Sequence, residues 1–480
     1  MKEKLKSALD TVEDMGASYA DARFVSRKVQ SLETKNDKVE AFSEDLSQGV
    51  GIRVLYKGSW GFAGTNKCDE RSIKETAGRA LRLARAASRV KVLDVVLSEA
   101  PTVMDSYKTP FKIDPFSIPV ENKIEILLDC DKIMAQEKQV KVREGSYHAF
   151  NEKKEFLSTE GSDIQQDITW CGAGISATAT DSKENQIRSY PASFGGDYSA
   201  RGHEFVDELE LDKHAERISK EAVELLKAPQ CPREKTTLIL GGSQLALQIH
   251  ESCGHPIELD RVIGMEASFA GTSFLIPDKK GNFQYGSDLV NLYADATQPG
   301  GMGTFGYDDE GIPAQKFDIV DEGTFVGYLT SRETSVLFEE KSNGTVRADG
   351  WQRMPMIRMT NINLKPDDWK IEELIKDTDK GVMLDTNRSW SIDQQRLNFQ
   401  FGTEIAYKIE DGSIEGIYKN PTYTGITYDF WRSCDAITDK DDWRMWGIPH
   451  CGKGEPMQTM FVGHGCSTAR FRDVQIGIAE

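Results

Sequence analysis

Residues 250 to 255 read His250-Glu251-Ser252-Cys253-Gly254-His255, with two histidines five positions apart and a glutamate directly after the first. No other stretch limits the fold as much, because an imidazole pair beside a carboxylate is metal-hydrolase chemistry and must be presented from one rigid element. In the common H-E-x-x-H pattern a spacing of four puts both rings on one helix face. A spacing of five on an ideal helix turns them about 140° apart, too far for one tetrahedral ion. The helix must therefore be distorted. Gly254 tolerates unusual dihedrals and Pro256 biases His255 away from the α region. The sequence thus predicts a helix that bulges or ends at His255, bringing it back toward His250. Ser243 is the expected N-cap, and Leu245, Ala246 and Ile249 the apolar face. Glu251 then has the place of a general base beside a metal-bound water.

A catalytic zinc normally takes three protein ligands and keeps one position for water. The tail offers His450-Cys451-Gly452-Lys453-Gly454 and His464-Gly465-Cys466, both read as glycine-rich loops. On chemistry alone Cys451 ranks slightly above Cys466, with His450, Glu258 and Asp260 behind. Cys253, inside the motif, reads as packing. The choice among these stays open at this level.

The remaining residues bound the class. At 480 residues the chain can bury more than one core. A net charge of −18 argues against nucleic acid as a ligand, since phosphate binding needs clustered Lys and Arg. No window approaches 18 uninterrupted apolar residues, so no membrane span is expected. The first residues enter an amphipathic pattern with no apolar signal region, and the eight cysteines contain no CxxC pair. Both point to reduced thiols and the cytoplasm.

Along the chain, helices are predicted at 3–15, at about 69–88 with Asp69 as cap, at 120–135 and at 203–227. Strands are predicted at 19–27, 29–34, 39–42, 49–55 and 60–63, with several extended segments over 139–202. Gly49 and Gly51 do not make a phosphate loop without the G-x-x-x-x-G-K-[ST] pattern. Prolines at 101, 110, 115 and 119 mark a linker or covering loop. A joint at Pro229 and Pro232 separates two expected domains, 1–230 and 231–480. The expected class is α+β: an α/β N-terminal domain with helices on a sheet, then a mostly antiparallel β domain of short strands carrying the H-E-x-x-x-H helix, with Glu372 to Asp377 the one further hint of helix.

Taken together, His250-Glu251-x-x-Gly254-His255-x-x-Glu258-x-Asp260 and the late Cys451-Gly452-Lys453 resemble the signature of the TldD/PmbA family of metalloproteases, TldD-type. Support runs through the chain in Ala20-Asp21-Ala22-Arg23-Phe24, Gly49-Val50-Gly51-Ile52-Arg53-Val54, Gly58-x-Trp60-Gly61-Phe62-Ala63, Asp309-Glu310-Gly311-x-Pro313 and Arg358-Met359-Thr360-Asn361. The resemblance implies one zinc ion held by His250, His255 and Cys451, with Glu251 as base. It also implies a dimer enclosing the active site, either a homodimer or a heterodimer with a PmbA/TldE-type subunit, and unstructured peptides bound as an added strand. Glu258 and Asp260 are then candidates to orient a ligand imidazole. Arg358 and Asn361 are candidates to steer a peptide carboxylate and hold peptide backbone. Where the family often has a Gly-Gly-Gln-Val-Asp-Pro type segment, this chain reads Ser389-Trp390-Ser391-Ile392-Asp393-Gln394-Gln395, so substrate contacts are not carried over there. The activity expected is zinc-dependent peptide hydrolysis. A non-catalytic partner subunit of the same fold and a hydrolase of non-peptide amides are the rival classes.

Overall fold

Four long strands build the first half of the molecule. The computed structural model describes residues 1–477. Strands β1 (Tyr19–Lys35), β2 (Val39–Tyr56) and β3 (Ser59–Thr65) form a meander. They continue through β5 (Val140–Ser158) and β6 (Asp163–Thr180) to β4 (Met104–Lys108), and β7 (Asn185–Tyr190) and β8 (Asp197–Ser199) also pair with β6. Every pairing in this sheet is antiparallel except β4 with β6. The pieces expected at 19–27 and 29–34 are one strand, as are those at 39–42 and 49–55. The polar residues 43–48 lie on the exposed part of β2 and pair without a break along β1.

Period two divides the faces. Ala20, Ala22, Leu32, Tyr147, Ala149 and Leu157 point to one side. There they pack under α1 (Lys2–Asp14) and α2 (Glu70–Ala87) toward one end, and under α3 (Val120–Met134) and α5 (Leu211–Leu225) toward the other. Asp69 caps α2 by accepting from the Ser72 N–H at 2.9 Å. A short α4 (Glu204–Glu208) precedes α5. Asp21, Arg23, Arg53, Glu152 and Lys154 point the opposite way and are buried against the second half of the chain. Lys154 Nζ donates to Asp309 at 2.6 Å and Arg53 Nη1 to Glu310 at 3.2 Å, so the two halves meet through paired charges.

The second half begins with β9 (Glu234–Leu240) and α6 (Gly242–Ile249). Five strands close on themselves: Lys380–Ile392, β9, Ala469–Ile476, Thr422–Ile426 and Asn398–Glu410, the last pairing back onto the first. Only the β9 pairing with Lys380–Ile392 is parallel within this ring. A smaller five-stranded sheet and a hairpin of Arg444–Lys453 with Gln458–Cys466 complete it. The expectation of short strands after the motif understates the two strands of 13 residues, Lys380–Ile392 and Asn398–Glu410. Short helices also form at Leu259–Val262 and Thr427–Arg432 as well as at Ile371–Lys376. Two α6 polar side chains are linked inside the core: Gln244 Nε2 donates to Tyr423 Oη at 2.8 Å, which donates to Gln248 Oε1 at 2.9 Å.

Candidate metal centre

One irregular turn solves the spacing of five. Residues His250–Gly254 continue α6 as a π-helical turn, and the His255 N–H donates to the His250 carbonyl at 3.1 Å. A π turn closes its hydrogen bond over five residues instead of four, so the fifth residue returns above the first. The two rings lie with centroids 4.9 Å apart and planes at 86°. Three sequence expectations are corrected here. The helix bulges and ends as expected, its π turn closing at Gly254 with His255 as C-cap, but His255 keeps right-handed helical dihedrals, φ −68° and ψ −41°, so Pro256 does not displace it. Gly254 serves close approach, not dihedral freedom, since a Cβ there would lie 2.1 Å from Met359 Sδ. Gly241 stands at the N-cap, while the Ser243 hydroxyl donates to Asp385 Oδ1 at 2.9 Å.

Cys451 arrives from the hairpin, whose register slips between Ile448 and Cys451. An irregularity of this kind re-aims a side chain. The hairpin is tied to the first half by Asp197, which accepts from Arg444 Nη2 at 2.7 Å and from the Gly447 N–H at 2.9 Å. Gly447 permits that contact, because a Cβ would meet the Tyr198 carbonyl at 2.1 Å. Ligand atoms of His250, His255 and Cys451 all lie within 4.8 Å of one another, and all three residues are buried. Among the described residues this is the one such group that the structure brings together. Cys466 sits on the opposite strand of the hairpin, its thiol donating to the Gly242 carbonyl at 3.2 Å. His450 is exposed at the rim. Both tail cysteines are therefore on paired strands, not on glycine-rich loops.

A second layer orients the rings. His464 Nδ1 lies 3.0 Å from the Ile362 carbonyl, which can only accept, so Nδ1 carries the proton and Nε2 the lone pair. His250 Nδ1, 2.9 Å from that Nε2, must then donate, leaving its own Nε2 free for a metal. Burial holds the His464 imidazole well below its usual pKa, with His250 adding to the effect, so the ring stays neutral. On the other side His255 Nδ1 donates to Glu258 Oε2 at 3.0 Å, and His255 Nε2 faces Cys451 Sγ at 3.7 Å. Burial opposes ionisation of Glu258, but Lys453, His255 and Arg261 outweigh it and hold the carboxyl well below the ordinary range. Lys453, fully buried, also donates to Asp260 Oδ1 at 2.7 Å and to the Ile357 carbonyl at 2.8 Å. Burial raises the Asp260 carboxyl. For Cys451, burial would raise the thiol, yet His255 and Arg358 prevail and lower it. Burial brings His250 down to about 4. Two neutral imidazoles and a thiol eased toward thiolate fit a borderline-soft divalent ion.

His250, Glu251, His255 and Cys451 open onto a cavity of about 360 Å³ between the two halves of the chain. Phe194 from the first half and Leu247, Trp390, Trp446 and Ile448 from the second give it apolar walls. Glu251 is ion-paired there with Arg396. Arg358 and Asn361 do not line this cavity. Arg358 is wholly buried and donates to the carbonyls of Cys451 and Gln458, pinning the hairpin. Asn361 donates to the Asp295 carbonyl at 2.7 Å and accepts from the Gly303 N–H at 2.9 Å, fixing a neighbouring loop. Their expected contact with substrate gives way to support of the scaffold. Sequence reasoning missed Arg396, Lys453 as a clamp and His464 as a ring-orienting partner. Only the nearness of His464 and Lys453 to the tail cysteines hinted at them.

Comparison with known proteins places these features in a family. Family models match residues 20–84 (PmbA/TldA metallopeptidase domain 1), 113–227 (central domain) and 233–478 (C-terminal domain). A metalloprotease of Methanocaldococcus jannaschii is 32% identical over 97% of both chains. A zinc metalloprotease TldD homolog of Saccharolobus solfataricus is 23% identical over 97% of this chain and 98% of its own. The crystal structure of TldE from Thermococcus kodakarensis superposes with a TM-score of 0.72 at 16% identity, covering 99% of this chain and all of that one, a likeness of fold.

Proposed function

Because the chain belongs to the PmbA/TldD metallopeptidase family, we propose that it is a zinc-dependent peptidase. In this reading His250, His255 and Cys451 hold one ion and Glu251 is the general base. The observation that carries it is the convergence of two Nε2 lone pairs and a thiol beside a buried carboxylate, all facing one cavity. The zinc in the name of the Saccharolobus relative supports the choice of ion. Bound there, the ion would polarise a water and the scissile carbonyl. Glu251 takes the proton of the water as its oxygen attacks, then returns it to the leaving nitrogen. His464 and Glu258 hold the two imidazoles in register through both steps, and the apolar walls exclude bulk water.

The substrate is an unstructured peptide, since a folded protein cannot extend into a cavity between two halves of a chain. The chamber is completed by a second subunit, either another copy or a TldE-type chain, and the shared fold with TldE supports such pairing. No described helix is long and apolar enough to cross a membrane. All eight cysteines are free thiols, which supports a reducing, cytoplasmic setting.

The test is elemental analysis of the purified protein beside C451A, then digestion of a disordered peptide and of a folded protein by the zinc-loaded wild type. Expected are about one zinc per chain, its loss in the variant, and cleavage of the disordered peptide alone. Zinc retained in C451A, or no cleavage of the disordered peptide, overturns the reading.

A further inference from the structure

Arg396 stands at the tip of the hairpin joining strands Lys380–Ile392 and Asn398–Glu410, and its side chain reaches the metal cavity. Its φ is +64°, a left-handed conformation that glycine or asparagine usually supplies in such a turn. Three bonds hold it there. The Arg396 N–H donates to the Asp393 carbonyl at 3.0 Å, Thr427 Oγ1 donates to the Arg396 carbonyl at 2.8 Å, and the Leu397 N–H donates to Asp393 Oδ1 at 2.9 Å. Strain maintained beside a cavity points to a task for the side chain.

The guanidinium is used sparingly. It is 16% exposed, and its one carboxylate partner among the described residues is Glu251, reached through Nη1. Arg–carboxylate pairs frequently engage two nitrogens of the fork on both oxygens. Here Nε is buried without an acceptor, and Nη2 makes no hydrogen bond to the described residues. The free face of the cation lines the same cavity as Glu251 and the three metal-ligand candidates.

We propose that Arg396 is a catalytic residue that donates from Nη2 to the scissile carbonyl oxygen and stabilises the charge developing there. The inference rests on the peptidase reading above. When the water oxygen bonds to the carbonyl carbon, the π pair moves onto the carbonyl oxygen and the water proton passes to Glu251. Collapse re-forms the C=O bond and expels the nitrogen with the C–N pair, and Glu251 returns the proton to it. Arg396 thus meets a new anion on the substrate in the step that neutralises its partner. A fixed cation in a water-poor site needs no reorganisation to do this.

The experiment uses full-length zinc-loaded protein, wild type, R396A and R396K, and reads three quantities: zinc content, kcat and KM on a disordered peptide, and calorimetric affinity for a phosphinic peptide. The phosphinic group is tetrahedral and anionic, like the state Arg396 would recognise. For R396A the expected result is unchanged zinc, kcat lower by about 100-fold with KM within about threefold, and phosphinic affinity lower by a comparable factor. R396K should lose less, and added guanidinium ion should restore part of the R396A rate. R396K supplies the comparison if R396A does not fold. Unchanged phosphinic affinity in the variants, or an effect confined to KM, overturns the inference. A wild type that cleaves no peptide, yet binds the phosphinic peptide more tightly than R396A, sinks the peptidase reading and keeps Arg396 only as a donor to a tetrahedral anion in this cavity.

Discussion

His250 Nδ1 and His464 Nε2 lie 2.9 Å apart, and the far side of His464 is anchored on the Ile362 carbonyl at 3.0 Å. This two-bond relay decides which nitrogen of His250 is left for an ion. His464→Ala would leave the His250 Nδ1–H without a buried acceptor and free the ring to turn. Zinc affinity should fall about 10–100-fold, read by competition with a chromophoric chelator. His464→Gln, which can accept from His250 and donate to the carbonyl, should recover much of it. Equal affinity in the wild type and the alanine variant would remove His464 from the site.

Glu251→Gln keeps an oxygen for Arg396 but cannot take a proton. Zinc content should be unchanged and peptide cleavage should drop by about 10²–10⁴. Turnover near the wild-type rate would dismiss Glu251 as base.

Gly254→Ala tests the π turn. The new methyl would overlap Met359 Sδ in a site with no spare room. A loss of about 1–3 kcal/mol is expected by chemical denaturation, as for other overpacked cores. Adding Met359→Ala should relieve the overlap, so the double variant should lie above the sum of the two single losses. Simple additivity would show that the tight contact is not what requires glycine.

Asp309 ties the halves of the chain together, accepting from Lys154 Nζ at 2.6 Å, Arg23 Nη1 at 3.2 Å and the Ala348 N–H at 2.7 Å. Burial alone would raise its carboxyl, but Lys154 and Arg23 bring it down to about 2. A carboxyl more acidic when folded stabilises the protein above its unfolded pKa of about 3.9, and the gain is lost as pH falls toward about 2. Asp309→Asn should therefore cost about 2–3 kcal/mol near pH 7, because Arg23 loses its carboxylate and Lys154 is left with Glu152 alone. The gap from wild type should close between about pH 4 and about pH 2. A gap independent of pH would assign the effect to the Ala348 hydrogen bond instead.

Much of this was legible along the chain. Apolar periodicity marked α1, α2, α3 and α5, and Asp69 announced the start of α2. The H-E-x-x-x-H stretch and Cys451 named the ligand candidates, because few residue types bind metals and their local pattern was distinctive. Strand lengths were harder to read. The buried charges of β1 and β5 face the second half of the chain, and a lone strand gives no sign that such a partner exists.

The sequence by itself determined which side chains were available for chemistry and that a spacing of five required a distorted helix. Tertiary structure decided the kind of distortion, a π turn with Met359 packed against Gly254, and brought Cys451 rather than Cys466 beside the two histidines. It alone brought in Arg396, 145 positions from Glu251 along the chain. The physical reason is range. Helical and strand periodicity are set by neighbours a few residues apart, whereas ligand convergence and charge pairing depend on which distant surfaces pack together.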